Sequence, residues 1–217
     1  MLGSRASELM GLVKISQHVR VQTVTKRSEI PNHVYDGFEC LPGKHHIQLK
    51  ENAVPSVRAA RRVPFALKGK RKTELDRLEK IGVIKRTEEP TDWVNALVRV
   101  YRFSRSLRLC LDPNDLNAHI KREHYHLPHK SKIVADMAGA QFFSKLDASQ
   151  GFYQMQLDEA STILCTVTTP YGRYSVKRMP YGISSRPEIF HKTINRIMEG
   201  LDGVRVFTDD ILIWGCT

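Results

Sequence analysis

At 217 residues, with 41% hydrophobic and 26% charged side chains, the chain has the composition of a globular protein of one or two domains, which sets wholesale disorder aside. Its 34 Lys and Arg against 23 Asp and Glu leave a formal charge of +11, which favours a polyanionic partner, most simply nucleic acid. No apolar run approaches the roughly 20 residues of a membrane span, the N-terminus lacks a signal peptide's pattern, and the four scattered cysteines suggest neither a disulfide framework nor a zinc site, so a soluble, intracellular chain (cytoplasmic or nuclear) with free, mostly buried thiols is expected.

Residues 1–14 are small and apolar, and the polar stretch from there to Pro31 reads as a linker. Residues 56–86 hold eleven Lys or Arg against Glu74, Asp76 and Glu79, so most of the positive excess sits in one segment; a solvated basic helix face accounts for this as well as a nucleic-acid contact does. Leu67, Leu75, Leu78 and Ile81 fall near helical spacing, and Gly82 is a natural stop, which predicts a helix over 69–81. Val94–Val100 and Leu107–Leu111 read as a hairpin. His119, His124, His126 and His129 fit no standard zinc spacing and read as part of a connector. Ile133, Val134 and Met137 suggest a brief helix ending near Gly139, and a strand follows over 141–147.

Phe190, Ile194, Ile197 and Met198 mark the core stripe of a helix over 187–199, opened by Ser184 or Ser185 and closed by Gly200. Val204–Phe207 and Ile211–Trp214 flank a polar turn at Thr208, Asp209 and Asp210, the pattern of a β-hairpin. Interleaved helices and strands argue for an α+β fold in which helices cover one face of a sheet.

Adjacent acids in a turn are common and usually just solvated. Asp147, however, closes an apolar strand, and Asp209 and Asp210 sit at the tip of an apolar hairpin, so neighbouring strands could bring the three together. Clustered carboxylates raise one another's pKa, a cost that bound cations remove. Magnesium suits oxygen ligands, and two such ions about 3.5–4 Å apart activate a 3′ hydroxyl and stabilise leaving pyrophosphate, which is polymerase chemistry.

The motifs around these acids resemble one family. Phe207-Thr208-Asp209-Asp210 is similar to the YxDD signature of reverse transcriptases, with Phe for the usual Tyr. Leu146-Asp147 running into Ala148–Gln154 resembles the family's first catalytic motif in its gypsy-type form, Arg178–Ile183 running into Phe190 and His191 resembles the next, and 107–117 resembles the fingers hairpin and the strand after it. These motifs stand in the family's order over about residues 45–215. The chain is thereby identified with the fingers and palm of a gypsy-type LTR retrotransposon reverse transcriptase.

The resemblance implies a palm of antiparallel sheet backed by helices, a fingers subdomain, and no thumb before Thr217. It makes Asp147, Asp209 and Asp210 the catalytic, metal-binding carboxylates, for two Mg2+ ions with Mn2+ as an alternative. Phe152 falls where an aromatic ring would exclude a 2′ hydroxyl, or else serves as a plain core aromatic. Arg108, and more loosely Arg102, match fingers cations that would grip the triphosphate. Tyr181, Gly182 and Pro187 would shape the nucleotide and template pocket, against a plain turn and helix start.

Implied partners are an RNA or DNA template-primer and deoxynucleoside triphosphates, with no membrane and the oligomeric state left open. Residues 1–22 resemble the tail of a retroviral-type aspartic protease, 23–55 a connector, and 56–217 an incomplete fingers and palm. Arg105, Phe103 and Arg186 depart from the family's pattern. Two other classes stay open: a catalytically silent nucleic-acid-binding remnant, and a protein-interaction scaffold built on the open end of the palm sheet.

Overall fold

The structure, a computed structural model, describes residues 40–101, 107–148, 150–207 and 210–216. The expected protease tail at 1–22 lies outside the described residues, as do Arg102, Phe103, Arg105 and Asp209. In chain order the elements are β1 (Lys44–His45), α1 (Phe65–Lys80), β2 (Ile84–Thr87), β3 (Asn95–Tyr101), β4 (Leu107–Asp112), α2 (Asn114–His119), α3 (Lys130–Asp136) and β5 (Phe142–Asp147). A 3-10 turn over Gly151–Gln154 follows, then β6 (Gln156–Leu157), α4 (Glu159–Leu164), β7 (Thr166–Thr169), β8 (Gly172–Val176), α5 (Arg186–Ile197), β9 (Val204–Phe207) and β10 (Asp210–Gly215).

Helix α1 opens a turn ahead of the expected start at Gly69, because Pro64 sets the entry backbone and its carbonyl accepts from Leu67 N at 3.0 Å. Gly69 is carried inside, where its cost of about 1 kcal/mol relative to Ala is offset by burial of Leu75 and Leu78. Arg71 is buried on the same stripe and donates from Nη2 to Leu97 O at 3.0 Å, so one member of the basic segment ties the helix to the sheet. The helix stops where expected, with Gly82 in the left-handed region at φ +71°.

The larger sheet has the order β2-β8-β7-β3-β4, antiparallel throughout except for the parallel β3–β7 join. The Asn95 side chain secures that join, donating to the carbonyls of Leu164 at 2.9 Å and Thr166 at 3.1 Å. Strands β3 and β4 form the expected hairpin, with Ala96 opposite Asp112 and Tyr101 opposite Leu107.

The smaller sheet is antiparallel, in the order β5-β10-β9. Helix α5 backs it with Ile189, Phe190, His191 and Ile194 buried. Ser185 precedes this helix but makes no side-chain cap bond; Pro187 in the first turn supplies the helical backbone instead. The helix ends at Ile197, short of the expected Glu199, and Gly200 follows at φ +85°. The two sheets share one core, with Leu75, Leu97, Leu109, Met155, Tyr174, Met179, Phe190 and Val206 in a single cluster.

Part of the stretch read as a connector is built into this body: β1 pairs with β6 in parallel, Ile47 is buried, and Leu49 bridges to Ile120. All four cysteines are free, but only Cys165 is buried, its thiol pushed up to about 12 by desolvation, while Cys40 and Cys216 are exposed, contrary to the expectation of mostly buried thiols. Among the described residues no helix is long and apolar enough to cross a membrane.

Candidate active site

Strand β5 ends at Asp147 and β10 begins at Asp210, and these two positions are direct Cα partners. Directly opposed residues of an antiparallel ladder lie about 4.5–5.5 Å apart and on one face of the sheet. On its other side Asp210 pairs with Phe207 at the end of β9. The ladder thus brings together the positions of two of the three predicted acids. Asp209 lies outside the described residues, as does the side chain of Asp147.

The Asp210 side chain is partly buried, and Lys145 Nζ lies 2.7 Å from its Oδ2. Lys145 sits two positions before Asp147 on β5, hence on the same face of the strand. Sequence reasoning missed this lysine, although its alternation with Asp147 in FFSKLD was available as a signal. Carboxylate oxygen is the donor type that suits a hard divalent cation, and the Lys145 ammonium occupies the Asp210 carboxylate here.

An aromatic pocket follows β5 directly. Gln150 takes the left-handed region at φ +50°, and Gly151 then passes so close to Phe190 that an added Cβ would lie 2.8 Å from its Cζ. This places Phe152, which is half-buried, 5.7 Å from the Tyr181 ring at 84° and 5.0 Å from the Phe190 ring. The Arg186 guanidinium carbon sits 4.2 Å from the Phe152 centroid and 5.0 Å from that of Tyr181.

The turn carrying Tyr181 and Gly182 is held by the end of the β3–β4 hairpin. Leu111 N donates to Tyr181 O at 2.8 Å, and Gly182, at φ +118°, approaches so closely that a Cβ would lie 2.3 Å from Leu111 O. Asn117, on α2, clamps the same turn, its Nδ2 donating to Gly182 O and its Oδ1 accepting from Ser184 N, both at 2.9 Å. Phe152, Tyr181 and Gly182 are therefore brought together, and Asn117 is a positioning residue that the motif reading passed over. Arg108 stands on β4 opposite Val100; its side chain lies outside the described residues.

The basic segment is less uniform than its sequence implies. Arg58 and Ser56 both bind Asp115, with Nε–Oδ2 at 2.5 Å and Oγ–Oδ2 at 2.8 Å, and these hydrogen bonds hold the Asp115 carboxyl down at about 2. Arg61 pairs with Asp112, Lys72 with Asp76, and Arg77 with Glu74. Arg62, Lys68, Lys70, Lys80, Lys85 and Arg86 are exposed.

Residues 100–217 match the family profile described as reverse transcriptase (RNA-dependent DNA polymerase). Uncharacterized protein K02A2.6 of Caenorhabditis elegans is 31% identical over 194 residues, covering 88% of this chain and 15% of its own length. The retrovirus-related Pol polyprotein from transposon 412 of Drosophila melanogaster is 30% identical over 112 residues, covering 51% of this chain and 9% of its own length. The chain thus spans only a small part of either curated relative. The solved structure of the foamy viral protease-reverse transcriptase in complex with RNA/DNA hybrid matches with a TM-score of 0.72 at 19% identity, over 84% of this chain and 24% of that one. This likeness carries the fold, an α+β arrangement of the reverse-transcriptase kind.

Proposed function

The chain belongs to the reverse transcriptase (RNA-dependent DNA polymerase) family, and on that premise we propose that it carries the template-directed nucleotidyl-transfer core of a gypsy-type LTR retrotransposon Pol polyprotein. The observation that supports this most is the pairing of Asp147 with Asp210 across neighbouring palm strands. The gypsy-type assignment rests on the form of the motifs around Asp147 and Arg178–Ile183. The same reading takes 1–22 as a protease tail, 23–55 as a connector and 56–217 as fingers and palm, acting in the cytoplasm or nucleus.

In this reading Asp147, Asp209 and Asp210 hold two Mg2+ ions, with Mn2+ as an alternative. Bound there, such ions would activate the primer's 3′ hydroxyl and neutralise charge on the departing pyrophosphate. The rest falls to the chain's own side chains. Arg108 and Arg102 donate to the triphosphate of the incoming deoxynucleotide. Phe152 closes the space a 2′ hydroxyl would need, and the Tyr181–Gly182 turn lets backbone approach the nucleotide closely. Exposed cations of α1 supply the phosphate contacts that hold an RNA or DNA template-primer.

Mixing the full chain with a primed RNA template, Mg2+ and deoxynucleotides tests the reading: primer extension is expected, and Asp147→Asn should abolish it. No extension, or extension indifferent to that substitution, contradicts it. A second reading, a catalytically silent nucleic-acid binder, is favoured by Arg186 against the pocket rings. It is distinguished by salt-sensitive duplex binding with no extension.

A further inference from the structure

We propose that Arg186 is a specificity-determining positioning residue, which holds the Phe152 ring in the orientation that sorts incoming nucleotides by their sugar. The proposal rests on the polymerase reading above and deepens it.

Phe152 is contacted by the Tyr181 ring, the Phe190 ring and the Arg186 guanidinium. Two of these contacts are themselves fixed. Phe190 is buried at 2% exposure in the core, and Tyr181 is held through its carbonyl by Leu111 N at 2.8 Å and through its ring by Tyr153 at 5.1 Å. Arg186 supplies a third contact. Its guanidinium carbon lies closer to Phe152 than to Tyr181, 4.2 against 5.0 Å, within the range of cation–π attraction to both.

The location of this cation is informative. Arg186 opens α5, where the helix dipole favours an acid rather than a base. The two aromatic faces add an attraction to the guanidinium at this position. A ring that discriminates by steric exclusion works only while it cannot swing aside, and a guanidinium 4.2 Å from its centroid restricts that swing. Replacing Arg186 by a small residue removes one of these three contacts and leaves Phe190 and Tyr181 in place.

The test is the ratio of kcat/KM for a deoxynucleotide over the matching ribonucleotide, measured by primer extension with the full chain and its Arg186→Ala, Arg186→Lys, Phe152→Ala and doubly substituted forms. The ratio is expected to fall by about 3- to 30-fold in Arg186→Ala, the range a cation–π contact spans. Lys, which keeps the charge, should restore part of it, and Arg186→Ala should have no further effect once Phe152 is Ala. An unchanged ratio in both Arg186 variants, or an equal fall in the Phe152→Ala background, overturns the proposal while leaving the polymerase reading intact. Absence of extension by the unsubstituted chain overturns that reading, and the proposal with it.

Discussion

Lys145 Nζ lies 2.7 Å from the Asp210 carboxylate, on the strand that ends at Asp147. In the proposed site an ammonium here offsets the repulsion among the three acids, and a divalent cation entering that site has to compete with it. Lys145→Met should therefore tighten Mn2+ binding by about 2- to 10-fold, since a partly exposed ion pair is worth on the order of 1 kcal/mol. Electron paramagnetic resonance of Mn2+ titrated into the metal-free full chain reads this directly. Weaker binding in the variant would show that Lys145 does not compete with the ion.

Gly182 is a position where any side chain meets backbone. With φ at +118° and the Leu111 carbonyl oxygen 2.3 Å from an added Cβ, Gly182→Ala must move either the turn or the end of β4. A loss of about 2 kcal/mol or more in unfolding free energy is expected from strain and clash together. Urea titration measures it, and a loss within experimental error would mean the turn relaxes freely.

Asn117 makes a more selective demand. Asn117→Ala removes a donor from Gly182 O and an acceptor from Ser184 N, at an expected cost of about 1–3 kcal/mol. Because the turn carries Tyr181, extension at limiting deoxynucleotide should suffer more than at saturation. Equal loss at both concentrations would reduce Asn117 to a fold-stabilising role.

His191 gives the α5–β9 packing a pH dependence. Its Nε2 donates to Val206 O at 3.0 Å, its Nδ1 accepts from Asn195 Nδ2 at 2.8 Å, and the Tyr125 ring lies 5.7 Å away. Burial, the largest influence, holds its pKa below the ordinary 6.5, against a smaller upward pull from the Val206 carbonyl. The unfolded chain therefore takes up the proton first as the pH falls, so the contribution of the neutral ring is complete above 6.5 and is lost as pH descends through the lowered folded value. Melting temperature should drop between about pH 7 and 5, and less steeply in His191→Gln. His45, also lowered by burial, leaves a residual slope of the same sign. Identical slopes in both proteins would contradict this assignment.

The elements around the candidate site could be read from the sequence because each is an apolar run ended by a distinctive residue: Asp147 closes β5, and in the sequence the polar residues 208–210 separate the apolar runs of β9 and β10, the strand itself taking in Asp210. Register could not be read, because nothing local decides that Asp210 faces Asp147 and not its neighbour two positions on. Strands β7 and β8 escaped for a related reason. Their run, Thr166 to Val176, alternates only briefly, with Val167 in one arm and Tyr174 and Val176 in the other, and it becomes sheet through pairing with β3 and β2. The basic segment also misled, since Arg58 and Arg61 find Asp115 and Asp112, more than fifty residues away, and only folding brings them together.

The most direct test of the central claim is anomalous diffraction from crystals of the full chain soaked in Mn2+. The account expects two peaks about 3.5–4 Å apart, ligated by carboxylate oxygens of residues 147, 209 and 210 at the end of the β5–β10 ladder. Peaks confined to other sites, or carboxyl groups at 147 and 210 too far apart to share an ion, would contradict it.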